Sequence, residues 1–162
     1  MSKAKDKQAQ TKTLSISDWV RLVLIGLCVI GIGIAGYMAW AELTGNETQC
    51  SDAGKIDCSA VQNSAYASTL GLPMAVLGVL GYVAILVVLV LEDQLQIAAN
   101  YGHAAVVGMT LFGVILQTYL TVIEATVLDA WCQWCIASFV VITLVFIGGS
   151  YRMYAFLQPL RR

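Results

Sequence analysis

The chain reads as an all-α membrane protein: a four-transmembrane-helix bundle with an outer loop between helices 1 and 2. Three observations predict this. Of 162 residues, 59% are hydrophobic and only 12% are charged, and the mean hydropathy is +0.77. A soluble domain carries roughly 25% charged residues, so this chain has too few polar side chains to cover a water-facing surface. Four separate runs reach the roughly 20 apolar residues that a helix needs to cross a bilayer. The Lys and Arg residues collect near the two ends of the chain.

The first span runs from about Val20 to Ala41, with Arg21 at its start. Its apolar stretch is longer than the roughly 7–15 residues of a cleaved signal peptide's core, which favours a retained helix. The second is Leu72 to Leu91 and holds no charge. The third is Tyr101 to Ile123, where only His103 can ionise. The fourth is Trp131 to Tyr151. These runs are too long for strands, and helices satisfy their own backbone groups in lipid. Residues 1–17 read as a disordered cytoplasmic tail, polar and rich in Lys and Gln. Residues 18–157 form the membrane domain, and 158–162 a short cytoplasmic tail. Gly31, Gly33, Gly36, Gly78 and Gly81 fall within spans, where small residues let helices approach closely.

Orientation follows from the basic residues, which favour the cytoplasmic side. Lys3, Lys5, Lys7, Lys12 and Arg21 precede or open the first span, and Arg152, Arg161 and Arg162 end the chain. Only Lys55 lies elsewhere, in the first loop. Both termini are therefore expected in the cytoplasm. The loop from about Glu42 to Gly71 and the link before Trp131 are expected outside, and the turn with Glu92 and Asp93 inside. A net charge of −1 gives no reason to expect a nucleic-acid partner.

There are five cysteines. Cys28 is mid-span and reads as a small packing residue. Cys50 and Cys58 lie in the outer loop with seven residues between them. Cys132 and Cys135 form Cys-Gln-Trp-Cys at the outer start of the last helix. Four of the five thus fall on the oxidising side, where disulfides persist. Asp129 is a candidate N-cap for that helix, which would put Cys132 in the first turn. There the helix dipole and free N–H groups favour a thiolate. Cys135, three residues on, shares its face and lies roughly 4.5 Å deeper. One sulfur then faces water and the other faces lipid, an arrangement suited to passing electrons from an aqueous thiol to a lipid-soluble acceptor. Two plainer readings stand beside this one. The four cysteines could hold a structural zinc ion, although the Cys50–Cys58 spacing is wider than zinc sites use. Cys50 and Cys58 could also be a simple loop staple. Trp131 and Trp134 sit where interfacial aromatics collect. Gln117, Thr121 and Glu124 share one face of the third helix, and polar groups within spans are functional candidates. His103 reads as interfacial.

The order of these motifs resembles the vitamin K epoxide reductase family, in its bacterial single-domain form. The resemblance rests on the loop pair Cys50 and Cys58 and on the run Cys58-Ser59-Ala60-Val61-Gln62-Asn63-Ser64-Ala65-Tyr66-Ala67. It rests also on Gly71-Leu72-Pro73 opening helix two, with Gly78 and Tyr82 inside it, and on Cys132 and Cys135 opening the last helix. It covers about Asp18 to Tyr154. It implies a four-helix bundle around a quinone (menaquinone, ubiquinone or phylloquinone) in a bacterial inner or plasma membrane. It further implies an electron relay with Cys50, Cys58, Cys132 and Cys135 as catalytic residues. Cys50 would exchange with a thioredoxin-fold, DsbA-like partner. Cys58 would form a disulfide with Cys132, and Cys135 would face the quinone. Disulfide formation in exported proteins would be the outcome. Ser64 matches a family serine, and it joins Cys135 and Phe139 as a candidate quinone contact.

Two departures narrow that expectation. Family members that reduce the epoxide carry Tyr where this chain has Phe139, and helix two has no Asn to match the family's other quinone-side donor. Quinone reduction is therefore expected rather than epoxide reduction. A fused thioredoxin-like domain is absent from these 162 residues, so the partner is expected to be a separate chain. The DsbB type of quinone-coupled enzyme places its Cys-x-x-Cys in the first outer loop, the reverse of the order here. The main alternative is a structural four-span protein of the claudin-like kind, with a stapled loop and no catalysis. Such proteins carry a Trp-rich loop before the first cysteine, and this loop has no Trp. A small transporter would need a broken repeat or a metal-ligand cluster, and neither is visible.

Overall fold

A computed structural model of the chain describes residues 16–46, 48–50, 56–62, 64, 68–69, 72–92 and 96–158. The tail residues 1–15 and 159–162, Lys55, Asn63 and Gly71 lie outside the described residues. The elements in chain order are α1 (Ile16–Thr44), α2 (Cys58–Gln62), β1 (Ser68–Thr69), β2 (Leu72–Pro73), α3 (Met74–Leu91), α4 (Gln96–Ile123), a π-helical turn (Glu124–Leu128) and α5 (Gln133–Leu157). Four helices are long and apolar enough to cross a membrane, with spans Asp18–Thr44, Met74–Leu91, Tyr101–Leu128 and Gln133–Leu157. The all-α four-helix class expected from the sequence is the class observed. The strands are a two-residue antiparallel pair, with Ser68 opposite Pro73 and Thr69 opposite Leu72.

The four long helices close into a ring. α1 packs against α3 and α5, and α4 packs against the same two from the other side. Their inner faces bury Leu24, Cys28, Ile85, Leu89, Val106 and Val145. Cys28 is a packing residue at the centre of this core, as expected. Leu22, Val29, Leu80, Phe112, Ile115 and Ile147 face outward and are exposed. An apolar exterior around an apolar interior suits a bilayer, where no water drives the two faces apart.

Close approach at one point depends on glycine. A Cβ on Gly31 would clash with the ring carbons of Tyr82. That ring is buried at 4% exposure, and its hydroxyl donates to the Ser138 carbonyl at 3.0 Å. Tyr82 thus ties α3 to both α1 and α5. Gly78 also meets α1, with Ala35 3.5 Å from where its Cβ would be, whereas Gly33, Gly36 and Gly81 have nothing within 4 Å. The packing role expected of all five glycines holds only for Gly31 and Gly78.

One end of the bundle is closed by charge. Arg152 is 7% exposed and forks onto Glu92, with Nη1 3.0 Å from Oε2 and Nη2 3.2 Å from Oε1. His103 Nε2 lies 3.0 Å from Glu92 Oε1. Arg21 Nε donates to the Leu89 carbonyl at 2.9 Å. His103, expected at the interface, is part of this inter-helix cluster.

Helix ends differ from the sequence expectation for local reasons. α3 starts at Met74, after Pro73 as N-cap with φ −57° and ψ 134°; the fixed ring torsion of proline suits a helix start. The third span does not stop at Ile123, where α4 ends, but runs on through the π-helical turn to Leu128. Asp129 is not the N-cap of α5. It closes the preceding turn in the left-handed region, φ 47°, a conformation Asp tolerates better than most residues. Cys132 itself is the N-cap, and its side chain accepts from the Cys135 N–H.

Candidate functional site

The other end of the bundle gathers four of the cysteines. Cys58, at 1% exposure, and Cys132, at 0%, are buried in one small cluster with Met38; Cys50, Ile56, Val61, Trp134 and Cys135 pack against it. Cys50 and Cys58 are joined in a disulfide with Cα atoms 6.2 Å apart. Cys132 and Cys135 are free thiols. Among the described residues no group of His, Cys, Asp or Glu is arranged to hold a metal ion.

The loop is stitched to the bundle on both sides of its cysteines. Before Cys50, the Gln49 N–H donates to the Tyr37 hydroxyl at 3.2 Å, and the Trp134 indole N–H donates to the Gln49 carbonyl at 3.0 Å. The rings of Tyr37 and Trp134 lie 5.0 Å apart. Before Cys58, Ile56 forms a parallel bridge with Trp131, and the Asp57 N–H donates to the Trp131 carbonyl at 3.1 Å. Trp131 and Trp134 therefore do more than mark the membrane boundary. The two residues that flank Cys132 and Cys135 also hold Cys50 and Cys58 in place beside them. Asp57 then starts α2, where its carboxylate accepts from the Ser59 hydroxyl at 2.7 Å and the Ala60 N–H at 2.9 Å. These bonds hold its carboxyl below the usual carboxylate range.

Cys132 lies just outside the span that begins at Gln133. A hydrogen bond from the Cys135 thiol pulls its pKa below the ordinary thiol value, and the backbone N–H groups of Cys135 and Trp134 add to this. Burial and the nearby Glu124 carboxyl oppose the shift without reversing it. Opening the helix as its N-cap, rather than sitting one turn in, puts the sulfur against the free N–H groups.

Beside Cys135 a cleft of about 450 Å³ opens between α1, α2, α3 and the end of α4. Met38, Val61, Met74, Leu120, Ile123 and Leu128 make most of its wall apolar. Glu42, Gln62, Ser64, Glu124 and Cys135 supply the polar atoms. Gln62 is informative. Its Oε1 accepts from the Thr48 hydroxyl at 3.2 Å, while its Nε2 is buried with no hydrogen-bond partner. An orphan donor in an apolar cleft fits a ligand that offers a carbonyl oxygen, and a quinone offers two. The Ser64 hydroxyl donates to the Val61 carbonyl at 2.7 Å and retains acceptor capacity toward the cleft. Phe139 is placed differently: it packs against the main core and is not among the residues that line the cleft.

Glu124, one of the polar residues sharing a face of the third span, lies against the Cys132 end of α5. It is 3% exposed, and its Oε2 accepts the Cys132 N–H at 3.2 Å. Glu124 and Cys135 line the same cleft. Gln117, two turns earlier on the same face, donates to the Cys135 carbonyl at 3.0 Å. The shared helical face of Gln117 and Glu124 was the available signal. Their target, two cysteines on another helix, becomes visible only in the fold. Thr121 is not a cleft residue.

Residues 22–148, more than half of the chain, match the model of the vitamin K epoxide reductase family.

Proposed function

The chain belongs to the vitamin K epoxide reductase family, whose members are membrane thiol–quinone oxidoreductases, and on that premise we propose a specific electron route through its four clustered cysteines. A thioredoxin-fold partner, a separate DsbA-like chain, delivers electrons to Cys50. Its thiolate attacks the Cys50–Cys58 bridge, leaves as the partner's own disulfide, and frees both loop thiols. Cys58 then attacks a Cys132–Cys135 disulfide at Cys132, forming a Cys58–Cys132 bond and releasing the Cys135 thiol. Cys50 closes back onto Cys58, which releases Cys132. Each step is a thiolate attack that conserves electrons and thiols. Cys132 and Cys135 are left as a dithiol beside the cleft. A quinone bound there accepts two electrons and two protons as the Cys132–Cys135 disulfide re-forms.

The observation that carries this reading is the burial of Cys58 and Cys132 in one cluster, with Cys135 on the cleft wall. The pattern of one loop bridge and two free thiols is what the route requires immediately before quinone reduction. The lowered pKa of Cys132 suits a sulfur that must serve as a leaving group. Gln62 Nε2 is the donor that would hold a quinone oxygen, with Cys135 toward the ring, while the Ser64 hydroxyl, engaged with the Val61 carbonyl, could accept only from the quinol. Epoxide reduction is not part of the proposal, because Phe139 has no hydroxyl to donate. The cysteine end would face the outer, oxidising compartment, with Arg21 and Arg152 at the cytoplasmic end, consistent with the basic-residue rule. The outcome is disulfide formation in exported proteins.

The route predicts that Cys50→Ala combined with Cys135→Ala, which removes the thiol that would resolve the intermediate, accumulates a Cys58–Cys132 bridge on reduction and reoxidation under denaturant-free conditions, detectable by peptide mapping. Recovery of Cys58 and Cys132 always as free thiols would break the relay between the two pairs.

A further inference from the structure

The geometry points to Glu124 as the catalytic proton carrier of the Cys132–Cys135 pair, taking the thiol proton from Cys135 and delivering it to an acceptor oxygen in the cleft. This rests on the quinone-linked reading above and assigns a role to a residue that reading does not use. Oxidation of the pair releases two protons as two S–H bonds break and one S–S bond forms. The electrons leave through Cys135, so the protons must leave beside it, in a region walled by Met38, Leu120, Ile123 and Leu128 and poor in water. Glu124 is placed beside that transfer. Its carboxyl accepts the Cys132 N–H at 3.2 Å, and it lines the same cleft as Cys135.

The fold takes trouble to put it there. Glu124 is the first residue of the π-helical turn, and its carbonyl accepts the N–H of Ala130 at 3.3 Å. Single π-helical turns occur disproportionately at functional sites. Burying a carboxyl at 3% exposure is costly unless it is hydrogen-bonded, and the Cys132 N–H at 3.2 Å supplies only one of the bonds it can accept. The titratable groups that face it are Cys132 and Cys135 from α5 and Glu42 of α1, which lines the same cleft; α2 offers it only Cys58, held in the disulfide.

The protons balance as follows. The Glu124 carboxylate accepts the Cys135 proton, and the resulting acid donates it to one acceptor oxygen. Restored to the carboxylate, it relays the Cys132 proton to the second oxygen in the same way. Glu124 ends each turnover as it began. General acid–base assistance of this kind is worth roughly 10²–10⁴-fold in rate.

The test compares wild type, Glu124→Gln and Glu124→Ala in nanodiscs. Gln keeps an oxygen that can accept the Cys132 N–H but cannot carry a proton, so it separates proton transfer from positioning. Quinone reduction is expected to fall by about 10²-fold in Glu124→Gln, with the loss confined to the quinone step. Reduction of the Cys50–Cys58 bridge by dithiothreitol, followed without quinone, proceeds in that variant at its normal rate. A second readout uses quinone-free wild-type protein labelled with ¹³C-glutamate. Because the Cys135 thiol proton is lost on oxidation, the infrared difference spectrum between dithiol and disulfide forms should contain a carboxylate band that shifts with the label. Either wild-type turnover in Glu124→Gln or the absence of any labelled carboxylate band overturns the proposal while leaving the quinone reading intact. A wild-type protein that reduces no quinone overturns both.

Discussion

Replacing Gly31 with alanine should destabilise the bundle, and the structure sets the size of the effect. The added methyl would clash with the Tyr82 ring carbons, and Tyr82 is held in place. It is buried between α1 and α5, and its hydroxyl is bonded to Ser138. Overpacking of this kind costs about 1–3 kcal/mol. Moving the ring also costs the Ser138 hydrogen bond, a further ~1 kcal/mol. Alanine regains about 1 kcal/mol over glycine within a helix. The net expectation is a loss of about 2 kcal/mol, or roughly thirty-fold in the folded-to-unfolded ratio. Gly33→Ala, two residues on with nothing within 4 Å, keeps the helix gain without the clash and should be neutral or slightly stabilising. Equilibrium unfolding in mixed micelles, followed by circular dichroism, reads both. Adding Tyr82→Leu to Gly31→Ala should recover part of the loss, a coupling that a double-mutant cycle isolates. If Gly31→Ala is as stable as Gly33→Ala, the tight α1–α3 contact through Tyr82 is wrong.

Three further outcomes follow from the same geometry. Trp134→Phe keeps the ring against Tyr37 and loses the N–H bond to Gln49; at about 1 kcal/mol, it should speed reduction of the Cys50–Cys58 bridge by roughly five-fold, read by timed alkylation. Glu92→Gln leaves Arg152 buried without its counter-charge, so it should cost about 3 kcal/mol in the same unfolding assay, and Glu92→Gln combined with Arg152→Gln should cost less than the sum. Cys132, with its pKa lowered chiefly by the Cys135 thiol, should be thiolate below the ordinary thiol range in the reduced protein. Ultraviolet thiolate absorbance should show that titration move upward in Cys135→Ala, whereas an unmoved curve would deny the thiol–thiolate bond.

Much of the fold was legible because it depends on quantities that a sequence carries directly. Apolar run length fixes four spans, and the cysteine spacing with its order along those spans carries the family resemblance. What was not legible depends on contacts between distant residues. Asp129 has the chemistry of an N-cap, yet it closes the turn before α5 because the π-helical segment runs on past Ile123. Trp131 and Trp134 look like ordinary interfacial aromatics until their bonds to Asp57 and Gln49 are seen. Arg152 counts toward orientation as a basic residue, and nothing local indicates that it is buried against Glu92. Glu124 and Gln117 were legible as a shared polar face, but their targets on α5 were not. Phe139 was placed beside the quinone by analogy, and its packing against the main core was not visible in the sequence.

The central claim is that electrons leave the thiols through Cys135 into a quinone. Anaerobic quinone reduction by purified protein, with dithiothreitol or a reduced thioredoxin-fold protein as donor, tests it most directly when wild type is compared with Cys135→Ala. The account predicts donor-dependent quinol formation by wild type and none by the variant, with both proteins folded. Equal rates in the two would remove Cys135 from the acceptor side, and no quinol from either would leave a stapled four-span membrane protein without this chemistry.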